Sequence, residues 1–130
     1  MISLKIAIIG SSYALRVIVP ALKKIKTSNL VGIYSPSIKS KNTTIKKFDS
    51  LNSLLTKNYN FLIIALPPNI QLKILENLEK IPKMLMIEKP LSGSKISKRR
   101  LLDLKKKYKN IRVLVDFNFA SLAVFKYLKN

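Results

Sequence analysis

The stretch Lys5-Ile6-Ala7-Ile8-Ile9-Gly10-Ser11-Ser12-Tyr13 constrains the fold more than any other. Four consecutive apolar residues, three of them β-branched, give way at once to Gly and two Ser. That pattern reads as a fully buried parallel strand breaking into a tight turn. A helix is expected to begin directly after it. Strand, Gly-led turn and helix together gather free backbone N–H groups and the positive end of a helix dipole at one spot, which suits a phosphate.

The rest of the chain repeats the theme. Tyr13 to Lys26 carries Ala14, Val17, Ile18, Ala21, Leu22 and Ile25 at helical spacing, and Pro20 is expected to remove one hydrogen bond and bend that helix. Leu30 to Tyr34 reads as a second strand, and Ile38 to Lys47 as a loop or a short irregular helix. Asp49 or Ser50 should cap a brief helix through Leu51, Leu54 and Leu55. Phe61 to Leu66 is a third buried strand, stopped by Pro67-Pro68, which also starts a helix over Asn69 to Ile81. Met84 to Ile87 is a fourth strand, running into Glu88-Lys89-Pro90. Ser94 is expected to cap a long helix to Tyr108 with Ile96, Leu101, Leu102, Leu104 and Tyr108 inward. Arg112 to Val115 is a fifth strand, and Ser121 to Lys129 a last helix.

Five short apolar strands alternating with helices predict an α/β protein with a doubly wound parallel sheet, Rossmann-like, in the order 3-2-1-4-5. In that order the Gly10 turn, Pro67-Pro68 and Glu88-Lys89-Pro90 face one crevice at the carboxyl ends of the strands, where ligands of such sheets lie. The 130 residues are read as a single domain, 1–130. No apolar run approaches the roughly 18 residues of a membrane span, and the first residues do not form a secretory signal. A cytoplasmic protein without membrane attachment is the expectation, and the absence of Cys excludes disulfides and thiolate metal sites. With no His and six scattered acidic residues, no metal site is predicted, and His-based acid–base or nucleophile chemistry is excluded. Any chemistry falls to Lys, Tyr, a carboxylate, a cofactor or a partner.

The formal net charge of +19 draws in polyanions. Because nearly all of it is Lys, without the Arg and stacking aromatics of nucleic-acid readers, only non-specific nucleic-acid binding follows.

The motifs Ile9-Gly10, Pro20-Ala21-Leu22, Ile64-Ala65-Leu66-Pro67-Pro68, Glu88-Lys89-Pro90 and Phe117-Asn118-Phe119 resemble the nucleotide-binding half of the Gfo/Idh/MocA family, the glucose-fructose oxidoreductase and inositol dehydrogenase relatives. The resemblance implies a Rossmann domain that holds NAD or NADP. It implies a second domain that binds a sugar or polyol, and hydride transfer to or from that substrate. It maps the catalytic role onto Lys89, and makes Lys89-Pro90 a candidate cis bond. The implied cofactor-binding residues are Gly10, Ser11, Ser12 and Tyr13 at the turn, Ser35 at the end of the second strand, Leu66, Pro67 and Pro68 along the nicotinamide side, and Glu88, Lys89 and Asn118.

Several residues keep two readings. Ser11, Ser12 and Tyr13 serve equally as helix caps, Glu88 as an ion-pair partner orienting Lys89, and Asp116 and Asn118 as a strand end. Two positions of the family's G-x-G-x-x-G/A turn depart from it, with Ser12 where the pyrophosphate approaches and Leu15 where the helix packs on the strand. Ser35 replaces the usual acidic ribose ligand, and with Ser37, Lys39 and Lys41 beyond it tilts the preference toward the 2′-phosphate of NADP.

The family's catalytic His and second domain are not in these 130 residues, so the chain reads as a half-enzyme. It is a truncated product, a split subunit or a shortened relative, working with a separate substrate domain or as a homo-oligomer. The competing readings are a degenerate Rossmann module acting in binding or assembly, with an apolar docking patch near Leu122 and Phe125, and the non-specific nucleic-acid binder. Phe48, Phe61 and Phe125 are expected in the core.

Overall fold

The computed structural model describes residues 3–10, 12–37 and 44–116. Among them five parallel strands, β1 Leu4–Gly10, β2 Ser28–Tyr34, β3 Phe61–Ala65, β4 Met84–Glu88 and β5 Arg112–Asp116, form one sheet in the order β2-β1-β3-β4-β5. The two central strands bury both faces, so the runs Ile6-Ala7-Ile8-Ile9 and Phe61-Leu62-Ile63-Ile64-Ala65 show no polar alternation. The doubly wound α/β architecture is the one expected.

The order needs one adjustment of numbering. A single parallel bridge joins Ile33 to Lys47 on the outer side of β2, where Ile33 donates to Lys46 O and Phe48 donates to Ile33 O. If that pair takes third place, the sheet runs 3-2-1-4-5 and on to a sixth strand. Phe61–Ala65 is then the fourth element and lies beside β1, where the expected order puts the fourth. The sequence pattern assigns third place to Phe61–Leu66 instead, because a lone bridge flanked by lysines has no apolar run to announce it. Gly32 permits this edge contact: its φ is 157°, and a Cβ there would lie 2.4 Å from the Phe48 ring.

One face of the sheet carries a helical run made of a π-helical turn, Ala14–Ile18, continued by α1 Val19–Lys23. Pro20 lacks the N–H that an α-helix would need there, and the widened turn just before it absorbs the missing bond. The other face carries α2 Leu51–Leu55, α3 Pro68–Asn77 and α4 Lys98–Lys107. Ser50 caps α2 with a full capping box, as expected. Two apolar clusters result, one under α1 around Ile6, Ile8, Ile18 and Ile63, and a larger one under α2–α4 that holds Phe48, Leu62, Leu72 and Leu85. Phe48 and Phe61 are core residues; Phe125, Leu122 and the expected Ser121–Lys129 helix lie outside the described residues.

Two helix boundaries differ from expectation. α3 ends at Asn77 rather than Ile81, because Leu78 turns to extended backbone and drives its side chain into the core. α4 starts after Ser97, whose Oγ accepts from Arg100 N–H, and not at Ser94. Leu104 and Tyr108 are buried, whereas Leu101 and Leu102 are about half exposed. Tyr108 Oη donates to Leu75 O at 2.7 Å and seats α4 on α3. Arg100 adds a two-pronged pair to Glu76 at 2.7 and 3.0 Å, exposed and therefore screened by solvent. No helix among the described residues is long and apolar enough to cross a membrane.

Candidate functional site

The register of the sheet aligns the strand ends. Ile9 pairs with Tyr34, Gly10 with Ala65, Ile64 with Ile87 and Glu88 with Asp116. The carboxyl ends of all five strands thus form one rim, and the residues that follow them meet there. Gly10 leads into Ser12, exposed, and Tyr13, half-buried. Leu66 is buried and leads into Pro67 and Pro68 at the head of α3, while Glu88 leads into Lys89 and Pro90, both exposed. The Lys89-Pro90 bond is cis. Ser11, Lys39, Lys41, Phe117, Asn118 and Phe119 lie outside the described residues.

Gly10 is glycine for a steric reason. A Cβ built on it would lie 2.6 Å from Ala14 Cβ, so the helical run sits directly on the strand end. The close helix–strand contact is made by Gly10 against Ala14, which is fully buried, and Leu15 packs half-buried in the smaller cluster without holding the helix off. Tyr13 does not cap that run through its side chain. Its Oη donates instead to Asp116 Oδ2 at 3.3 Å, linking the first turn to the end of β5.

The end of β4 is fixed from beneath. Gln71, completely buried in α3, donates from Nε2 to Glu88 O at 2.8 Å and accepts from Glu88 N–H at Oε1, 2.9 Å. A second contact ties the loop after Pro90 to α3, since a Cβ on Gly93 would lie 3.0 Å from Asn69 Oδ1. The Pro67-Pro68 turn and the Glu88-Lys89-Pro90 segment are therefore neighbours held in one arrangement.

Burial pushes the Glu88 carboxyl above the usual carboxylate range, and the adjacent Asp116 carboxyl pushes it further; the charge and backbone of Lys89 pull the other way. Asp116 therefore acts on the Glu88 carboxyl alongside Lys89. A carboxyl raised in the folded state stabilises the fold fully below its unfolded value, about 4.3, and less as pH climbs through the folded value. Glu88→Gln removes that dependence. In urea denaturation between pH 4 and neutrality, the stability of the wild type relative to Glu88→Gln is expected to fall as pH rises. A flat or rising difference would refute it.

At the end of β2, Ser35 is buried and its Oγ lies 3.1 Å from Ser37 Oγ. At the rim Glu88 Oε1 is buried and, among the described residues, has no hydrogen-bond partner, an orphaned acceptor of the kind a bound polar group would satisfy. Reading the sequence missed Gln71 and the Tyr13–Asp116 contact. A polar residue at a core position of a helical pattern is the signal that could have found Gln71; nothing local announces a contact across 103 residues.

The GFO_IDH_MocA model, an oxidoreductase family with an NAD-binding Rossmann fold, matches residues 4–117. No curated protein sequence matches the chain. Among solved structures, the dehydrogenase MviM from Clostridium difficile is 27% identical, with a TM-score of 0.76 over 98% of this chain and 43% of its own. The fold is shared with KijD10, a 3-ketoreductase from Actinomadura kijaniata in complex with NADP and TDP-benzene, at 16% identity and TM-score 0.76, covering 97% of this chain and 41% of that one. It is shared too with the WlbA dehydrogenase from Chromobacterium violaceum in complex with NADH and UDP-GlcNAcA, at 17% identity and TM-score 0.78, covering 99% and 39%. The chain spans about two fifths of the length of these structures.

Proposed function

The chain belongs to the Gfo/Idh/MocA oxidoreductase family with its NAD-binding Rossmann fold, and on that premise we propose that it is the nucleotide-binding part of an NAD(P)-dependent oxidoreductase acting on a sugar or polyol hydroxyl. One observation carries the reading. The Gly10 turn, Pro67-Pro68 and Glu88-Lys89-Pro90, remote in sequence, follow strands that end on one rim, the place where open α/β sheets bind ligands. Gly10, Ser11, Ser12 and Tyr13 would hold the pyrophosphate, Ser35 the ribose side, and Leu66, Pro67, Pro68, Glu88 and Asn118 the nicotinamide side. With Ser35 in place of a carboxylate, NADP is favoured over NAD.

Hydride transfer would be supplied by a bound nicotinamide cofactor. Lys89, exposed past the end of β4, polarises the substrate hydroxyl or takes up its proton. Gln71 holds the backbone from which Lys89 projects, and Asp116 and Glu88 keep an acidic pair beside it. The remaining substrate contacts come from a second domain or a separate partner.

The reading predicts saturable NADPH binding, followed by reduced-nicotinamide fluorescence, that survives high salt and is not mimicked by ATP. Binding that ATP matches and salt erases would instead trace to the +19 charge, and the chain would then act as a degenerate module in assembly.

A further inference from the structure

We propose that two copies of this chain pair edge to edge through β5, antiparallel and centred on Leu114, to make one continuous ten-stranded sheet. Among the described residues β5 pairs with β4 on one side only. Its three central residues are large and apolar, and Val113, Leu114 and Val115 are 40%, 40% and 45% exposed. Protected edges usually carry Pro, an inward charge or a bulge, and this segment has none of these.

The main-chain directions fit. Arg112 N–H donates inward to Lys83 O, so by alternation Val113 and Val115 turn their N–H and C=O groups outward. An antiparallel partner centred on Leu114 places Val113 opposite the partner's Val115 and the reverse. Each of those pairs exchanges two bonds. Leu114 then faces its own copy on one face of the sheet.

The charges fit the same register. Arg112 falls opposite the partner's Asp116, and Asp116 opposite the partner's Arg112, on the face that carries Leu114. The patch is self-complementary, as a two-fold interface requires. Working against it is the repulsion of two chains of charge +19 each, which salt screens within about 10 Å at 0.1 M. Association should therefore strengthen as salt is added, opposite to nucleic-acid binding.

The test is sedimentation equilibrium of the full chain across protein concentration and salt, with amide exchange in parallel. The proposal expects a salt-promoted dimer, weakened roughly tenfold or more by Arg112→Asp and retained by Arg112→Lys, which keeps the positive charge opposite the partner's Asp116 in the same register. It also expects the Val113 and Val115 amides to gain protection with concentration. The Leu114 amide, turned toward β4, should not change. A monomer under all conditions overturns it. So does a dimer that Arg112→Asp leaves unchanged, or one whose protection gain falls elsewhere, which would assign association to another surface. Should Arg112→Asp fail to fold, the exchange pattern of the wild type decides alone.

Discussion

Replacing Gly10 with valine is expected to lower stability by about 3 kcal/mol or more, a large share of the roughly 5–15 kcal/mol that holds a domain together. The Cβ alone would come within 2.6 Å of Ala14 Cβ. Both atoms are fixed to backbone, so no rotamer relieves the contact, and the helical run must lift from the end of β1. Ala14, Ile18 and Val19 would then leave a cluster in which each is buried. Gly10→Ala should show a milder version of the same defect, and Ala14→Gly on that background should recover part of the loss, because it removes the facing atom. Denaturant unfolding of these three variants, of Ala14→Gly alone and of the wild type measures the coupling. If Gly10→Val unfolds at the wild-type midpoint, or if Ala14→Gly worsens Gly10→Ala additively, the steric account is wrong. Glycine would then be there for the ligand alone.

What could be read from the sequence follows from how each element is stabilised. β1 and β3 are buried on both faces, so their residues are dictated by burial and their runs are unmistakable. The same holds for Phe48 and Phe61. The extra edge pair at Lys47 has one bridge and rests on Gly32, a residue whose φ cannot be guessed from its neighbours. The start of α4 was obscured because Ser94 and Ser97 are equally good caps. The rim motifs were legible because each follows a buried strand. Their mutual fastening was not: Gln71 with Glu88, Gly93 with Asn69 and Tyr13 with Asp116 are contacts between segments that only the fold brings together.

Gln71→Leu is the second large effect. Leucine fills similar space and suits a helix, so propensity and packing change little. What changes is hydrogen bonding. Gln71 is completely buried and satisfies both the N–H and the C=O of Glu88, at 2.9 and 2.8 Å. An apolar replacement leaves two part-buried backbone groups unpaired, at about 1–3 kcal/mol each when fully buried, so a loss of up to roughly 2–6 kcal/mol is expected in urea denaturation. The strand end can escape that cost only by turning toward water, and doing so would carry Lys89 and Pro90 with it. Dinucleotide affinity should then fall in the folded protein, beyond the fraction lost to unfolding. The two readouts separate two claims. A stability loss with unchanged affinity would leave Gln71 as a structural bond under β4, independent of the site. A fall in both means that the position of the Glu88-Lys89-Pro90 segment is set from inside the core.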